Sequence, residues 1–167
     1  MYKAAFAPVV DADTRLLILG SLPGDASLKA GQYYGHPQNG FWRLLGPVVG
    51  RDLVRLAYDD RLDALRGAGV GLWDVIARAR RPGSLDGAIR EAEAADLRRL
   101  IADLPRLRAV AFNGGTAARI GRRSLAGAAS LALVDLPSSS PAYTLPLSAK
   151  ARVWTGLADW LRDDAAS

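Results

Sequence analysis

Short runs of apolar residues alternate along the chain with longer segments whose apolar residues recur at helical spacing. Four of the runs are compact enough for buried strands, and they cover residues 15–20, 70–76, 107–112 and 130–136. Helical spacing predicts helices at residues 41–49, 62–65, 84–104 and 116–120, of which 84–104 is the longest. Ser148 can cap a last helix whose core face comprises Val153, Trp154, Leu157 and Leu161. The alternation predicts an α/β fold in one domain over residues 1–167, with three α/β/α layers and a central, mostly parallel four-stranded sheet.

Polar segments follow three of the predicted strand ends. They are residues 21–39, the neighbourhood of Asn113, and residues 137–148. Ligands of open, parallel α/β sheets bind beyond the carboxyl ends of the strands. We therefore expect the functional groups of the chain in these three segments.

Composition excludes several classes of site. The chain has no Cys, which excludes disulfides, iron–sulfur clusters and thiolate zinc sites, and its lone His36 excludes a His-based metal site. No apolar run is long enough to cross a bilayer, and Asp11 and Asp13 interrupt the N-terminal apolar stretch, so we expect neither a membrane segment nor a signal peptide. These features predict a cytoplasmic protein that needs neither a metal nor another cofactor.

The net charge of +5 is carried almost entirely by arginine, because the only lysines are Lys3, Lys29 and Lys150. Arginine pairs with phosphate in a bidentate manner, so this composition favours nucleic acid as a partner. The alternative is that an Ala-, Arg- and Gly-rich sequence reflects only the base composition of the genome.

Residues 20–42 combine a Gly- and Pro-rich turn with aromatic and amide side chains. Tyr33 and Tyr34 offer flat faces on which a base can stack, and Asn39 offers both hydrogen-bond donors and an acceptor. The alternative is an ordinary connection in which Asn39 caps a helix. We expect Phe41 and Trp42 to lie in the core.

Residues 136–150 place three serines between two prolines. Ser138, Ser139 and Ser140 can hydrogen-bond phosphates, Tyr143 can wedge into a base stack, and Lys150 adds positive charge. The alternative is a solvated turn before the last helix.

Two further strand ends carry candidate groups. Asn113, followed by two glycines and a helix, can present backbone N–H groups to an anion, or can simply form a tight turn. Asp74 can face the pocket or cap a turn. For Arg78 and Arg81 we expect a solvated face.

Taken together, five motifs resemble the uracil-DNA glycosylase superfamily, and within it the hypoxanthine-DNA glycosylase branch. The motifs are GSLPG, YYGHPQNGFW, GSLDGAI, FNGGTAA and LPSSSPA, and the similarity runs from Leu16 to the last helix. The resemblance implies an enzyme that flips hypoxanthine or uracil out of double- or single-stranded DNA. It would hydrolyse the N-glycosidic bond with water and leave an abasic site. It further implies a nucleoid-associated monomer of prokaryotic type.

The resemblance assigns roles to Tyr34, Asn39, Asp74 and the three serines, and the chemistry of the segments adds the other expected site residues. Tyr34 corresponds to the aromatic residue that stacks on the flipped base, and Asn39 and Ser21 are the expected catalytic residues. Base binding is expected from Leu22, Pro23, Gly24, Asp74 and Asn113. DNA contacts are expected from Ser138, Ser139, Ser140, Tyr143 and Lys150.

The first motif departs from the superfamily pattern. Ser21 and Leu22 stand where many members carry Asp, Glu or Asn, so no strong base is present in that stretch. This favours a dissociative route in which stabilisation of the leaving base matters most and Asn39 orients the water. Two alternatives stay open: a damaged-DNA-binding module without catalysis, and a nucleotide-binding hydrolase unrelated to DNA.

Overall fold

The computed structural model describes residues 2–128 and 130–163. Its strands, in chain order, are β1 (Tyr2–Ala4), β2 (Leu16–Gly20), β3 (Val70–Asp74), β4 (Ile76–Arg80), β5 (Arg90–Ala94), β6 (Ala109–Asn113) and β7 (Ala132–Leu136). Its α-helices are α1 (Asp25–Ala30), α2 (Phe41–Val49), α3 (Tyr58–Ala68), α4 (Leu97–Ala102), α5 (Gly115–Ser124) and α6 (Leu147–Trp154). Short 3₁₀ helices cover Leu53–Arg55, Asp86–Ala88 and Thr155–Leu161.

The central sheet contains four parallel strands in the order β3-β2-β6-β7. Every residue of β2 and of β6 is buried, as expected for inner strands that are covered on both faces. The predicted four-stranded parallel sheet is thus confirmed, and the strand ends differ from the predicted ones by at most two residues.

Alternating side chains of β2 point into two different cores. Leu16 and Ile18 pack on one face of the sheet with α2, α3 and α6, whereas Leu17 and Leu19 pack on the other face with α4 and α5. The result is the predicted three-layer α/β/α arrangement. None of the helices in the described ranges is long and apolar enough to span a membrane.

The predicted long helix over residues 84–104 is wrong. The segment forms the 3₁₀ turn Asp86–Ala88, then β5, then the short helix α4. β5 pairs antiparallel with β4, and β4 with β1, which makes a second sheet of three strands. Every residue of β5, whose sequence is REAEA, is exposed, and its two glutamates form ion pairs across the strands with Arg78 and Arg80. Pairing with a neighbouring strand therefore overrides an apolar spacing that is compatible with a helix.

Three smaller predictions are also corrected. The run 70–76 divides at Val75, where the chain leaves the central sheet and enters the small antiparallel one. The polar stretch 21–39 contains the short helix α1. Ser148 is not the cap of the last helix, because that helix begins at Leu147 and its N-cap residue is Pro146.

The core face of the last helix is confirmed only in part. Trp154 and Leu157 are fully buried and Leu161 is partly buried against the same core, but Val153 is 46% exposed. The helix continues as a 3₁₀ helix from Thr155, so the regular helical spacing used for the prediction does not hold beyond that residue.

Candidate active site

A cavity of about 350 Å³ opens at the carboxyl ends of β2, β3 and β6. All three segments that were expected to carry functional groups meet there. Of the predicted site residues, those in the cavity wall are Ser21, Leu22, Pro23, Gly24, Tyr34, Asn39, Asp74, Asn113, Ser139 and Ser140. Ser138, Tyr143 and Lys150 lie outside the wall, and the last two line an adjacent shallow groove.

Asp74 ends β3 and places a buried carboxyl group in the cavity wall. The residue is 4% exposed, and its Oδ2 atom has no hydrogen-bond partner within the described residues. Burial raises the pKa of Asp74 to about 7; the Asp86 carboxylate adds to the rise, and the Arg81 guanidinium opposes it. Near neutral pH this carboxyl group can therefore either donate or accept a hydrogen bond.

Tyr34 has one ring face covered by protein. Its ring stacks on that of Phe41 at 3.8 Å between centroids and 10° between planes. Its backbone is in the left-handed region, with φ at 53°, and its hydroxyl is buried without a partner among the described residues. Burial, with the charge of Asp74, raises the pKa of Tyr34, so the phenol stays neutral. A base can stack only on the opposite ring face.

Gly20 allows Tyr34 and Asp74 to approach the end of β2. A Cβ atom at this position would lie 2.7 Å from Oδ1 of Asp74 and 2.9 Å from the hydroxyl oxygen of Tyr34. Both distances are shorter than real Cβ contacts, so any side chain here would displace the wall of the cavity.

Asn39 both caps a helix and lines the cavity. Its Oδ1 accepts a hydrogen bond from the backbone N–H of Phe41 at 3.0 Å, which satisfies a free donor in the first turn of α2. The N-cap residue of α2 is Gly40, so Asn39 precedes the cap position but its side chain still satisfies one N–H of the first turn, in addition to lining the cavity. The amide Nδ2 makes no hydrogen bond to the described residues and can donate to water or to a base.

Asn113 and Ser139 hold the loop of residues 137–146, called here the serine loop, against the end of β6. The Asn113 side chain donates to Oγ of Ser139 and accepts from its backbone N–H, both at 2.9 Å. The carbonyl of Ser139 in turn accepts from the backbone N–H of Gly40 at 2.9 Å. Asn113 is thus satisfied by protein, in addition to its place in the cavity wall.

The rest of the serine loop is also stabilised by hydrogen bonds within the protein. Ser138 and Ser140 each accept a backbone N–H two residues further on. Lys150 is 4% exposed, and its ammonium donates to the carbonyl of Ser140 at 3.1 Å. Tyr143 is 48% exposed beside that lysine. Lys150 therefore holds the loop together, whereas Tyr143 is accessible from outside.

The structure reveals two functional candidates that the sequence did not indicate. Asp86 accepts a 2.6 Å hydrogen bond from the Ser21 hydroxyl, although 65 residues separate them. Arg81 is 2% exposed, so its predicted solvated face is wrong. Its guanidinium donates to the carbonyls of Leu22, Pro23 and Gly83. Asp86 lies in the GSLDGAI motif, but nothing in the local sequence indicates its contact with Ser21, and Arg81 ends a short run of arginines that resembles a solvated surface.

Comparison with known proteins gives consistent matches. The profile of the family described as the Uracil DNA glycosylase superfamily matches residues 7–160. A protein of Methanosarcina barkeri and one of Methanosarcina acetivorans, both described as hypoxanthine DNA glycosylase, are 48% and 45% identical over 114 residues. Each match covers 68% of this chain and 72% of the relative.

The fold has a counterpart among solved structures. A solution NMR structure from Methanosarcina acetivorans, described as a candidate uracil DNA glycosylase, superposes with a TM-score of 0.86 at 38% identity. The match covers 96% of this chain and 99% of the other.

Proposed function

The chain belongs to the uracil DNA glycosylase superfamily, and we propose that it removes deaminated bases from DNA, hypoxanthine first and uracil second. It is a DNA glycosylase, so it acts on the bond between a base and its deoxyribose. Two relatives described as hypoxanthine DNA glycosylase support hypoxanthine as the preferred base.

The observation that carries the proposal is the enclosed position of Asp74 and Tyr34 in the cavity wall. Each has a buried polar atom without a partner in the described residues, and a bound base can supply the missing hydrogen bonds. A base that is still stacked in a duplex cannot enter such a cavity. The target nucleotide must therefore rotate out of the helix first.

The reaction follows a dissociative route in this proposal. The Ser21–Gly24 turn and Asp74 hold the leaving base, Tyr34 stacks on it, and the Asn39 amide orients the water that attacks the sugar. The exposed Tyr143 contacts the DNA next to the flipped nucleotide. The protein acts as a cytoplasmic monomer.

An alkaline strand-cleavage assay tests the proposal. Labelled single-stranded and duplex oligonucleotides carry one deoxyinosine or one deoxyuridine, and the wild type runs beside Asn39→Ala. We expect cleavage only after alkali, faster with deoxyinosine and largely lost in the variant. Asn39→Asp keeps the oxygen that caps α2 but lacks the amide donor, so it separates loss of chemistry from loss of the cap.

The same assay evaluates the binding-module alternative. Absence of abasic product from either base, with preserved affinity for deoxyinosine-containing DNA, would contradict the proposed function and identify a damage-binding protein. Loss of activity in Asn39→Ala but not in Asn39→Asp would reduce Asn39 to its capping role.

A further inference from the structure

The carboxylate that the first motif lacks is supplied by a distant segment. Ser21 occupies the motif position, and its hydroxyl donates to Oδ1 of Asp86 at 2.6 Å. Both residues line the cavity. Within residues 2–128 and 130–163, Oδ2 of Asp86 accepts no hydrogen bond, so it is available to a water molecule.

The segment that carries Asp86 is held against the turn after β2 by hydrogen bonds of three side chains, those of Arg81, Ser84 and Lys3. The Arg81 guanidinium donates to the carbonyls of Leu22 and Pro23. The backbone N–H of Asp25 donates to Oγ of Ser84 at 2.8 Å, and Lys3 bridges Asp25 and the carbonyl of Gly83. A loop that merely connected β4 to β5 would not need these hydrogen bonds. The contacts hold Asp86 in place at the cavity.

Asp74 and Asp86 lie in very different environments. Asp74 is buried with an unpartnered oxygen, whereas Asp86 is exposed and accepts a charge-assisted hydrogen bond from Ser21. The charged and titratable groups around Asp74 are Tyr33 and Tyr34 after α1, Arg81 after β4, and Asp86 itself. His36 lines the same cavity. Two carboxyl groups placed in different environments at one cavity are typical of acid–base catalysis.

We propose that Asp86 and Asp74 form the acid–base pair of this glycosylase, with Asp86 accepting a proton from the attacking water and Asp74 donating one to the leaving base. The inference rests on the proposed function and extends it to the chemical step.

The proposed hydrolysis needs no reactant besides the nucleotide and water. The C1′–N bond breaks and its electron pair passes to the base, while the Asp74 carboxyl proton moves to a nitrogen or oxygen of that base. The water oxygen bonds to C1′ of the deoxyribose, and one water proton moves to Asp86, directly or through Ser21. Exchange with solvent then returns each carboxyl group to its starting state. Asn39 orients the same water without accepting its proton.

Single-turnover release of hypoxanthine from duplex DNA tests the pair across pH 5 to 9. We expect Asp86→Asn and Asp74→Asn each to lower the rate by about 10²–10⁴-fold, the usual contribution of a general acid or base. Glu93→Gln is the matched control, since it removes one negative charge from β5, the strand that follows the Asp86 turn, at an exposed position that contacts Arg78. Its rate should equal that of the wild type.

The pH profile separates catalysis from positioning. In the wild type the rate should fall above the pKa of Asp74, which burial raises to about 7. Asp74→Asn should remove this alkaline limb, whereas Asp86→Asn should lower the rate and leave the alkaline limb in place. If Asp74 had a mainly structural role, its replacement would lower the rate without changing the shape of the profile.

The outcomes distinguish this inference from the proposed function. A wild type that releases no base from any oligonucleotide contradicts the proposed function itself. An active wild type with full activity in Asp86→Asn overturns the pair. So does an Asp74→Asn variant that keeps the wild-type rate, because an amide can hydrogen-bond to a base but cannot deliver a proton. Circular dichroism melting confirms that both variants are folded.

Discussion

At the scale of single residues, the cavity wall combines satisfied and unsatisfied polar groups. Asn113 and Ser139 satisfy each other, whereas the Tyr34 hydroxyl and Oδ2 of Asp74 are buried without partners in the described residues. An unpaired buried polar atom costs about 1–3 kcal/mol, and protein structures contain few of them. Two at one cavity indicate a site that is completed by its ligand.

Replacement of Tyr34 distinguishes its ring from its hydroxyl. Tyr34→Ala should lower kcat/KM by an amount equivalent to ~1–3 kcal/mol, because the base loses its stacking surface. Tyr34→Phe should retain most of the activity, since the ring and its stacking on Phe41 remain. Steady-state kinetics on a deoxyinosine duplex measures both variants. Full activity in Tyr34→Ala would show that the base stacks on another residue.

At the scale of elements, the site depends on loops that the two sheets hold together. β3 contributes Asp74 to the central sheet, and β4 begins at Ile76 and belongs to the small sheet. The chain that follows β4 returns to the cavity, where Arg81 contacts the turn after β2. The small sheet therefore serves to present Asp86 and Arg81, besides covering one face of the core.

Arg81 should contribute to stability through this connection between loops. Arg81→Met retains an unbranched apolar stem but leaves the carbonyls of Leu22 and Pro23 without their donor, which should lower the free energy of unfolding by ~1–3 kcal/mol. Arg78→Met is the control, because its ion pair with Glu93 is exposed and such pairs contribute ~0–1 kcal/mol. Urea denaturation compares the two variants. Equal effects would contradict a special role for Arg81.

At the scale of the whole molecule, Asp74 couples folding to pH. Its pKa is raised from 3.8 to about 7 in the folded state, so between these values the folded protein binds more protons than the unfolded chain. The free energy of unfolding should therefore be unaffected by Asp74 at low pH, where the group is protonated in both states. It should fall as the pH rises from about 4 towards 7. The loss levels off about one pH unit above the folded-state pKa, where Asp74 is ionised in both states.

Asp74→Asn removes this pH dependence. From pH 5 to pH 8 the stability of the variant relative to the wild type should rise by ~3 kcal/mol, because about two pH units of this interval lie below the pKa of about 7 and each is equivalent to ~1.4 kcal/mol. Chemical denaturation of both proteins at the two pH values measures the difference. A gap that stays constant with pH would show that Asp74 titrates normally in the folded protein.

Much of the fold and part of the site could be predicted from local patterns. A buried parallel strand needs a short apolar run, and a helix needs apolar residues on one face, so the four central strands and the helices at 41–49 and 116–120 were recognisable. The segments that line the cavity were recognisable too, because ligands bind where parallel strands end. The segment REAEA of β5 could not be identified as a strand, since the strand with which it pairs lies elsewhere in the chain.

The sequence by itself determined the α/β class, the parallel sheet and the three segments that meet at the cavity, because each depends on neighbouring residues. Only the tertiary structure decided that Asp86 accepts a hydrogen bond from Ser21, that Arg81 is buried, and that burial raises the pKa of Asp74. These properties arise from contacts between segments far apart in the chain. Burial and electrostatic interaction depend on distance in space, and a linear pattern does not contain that distance.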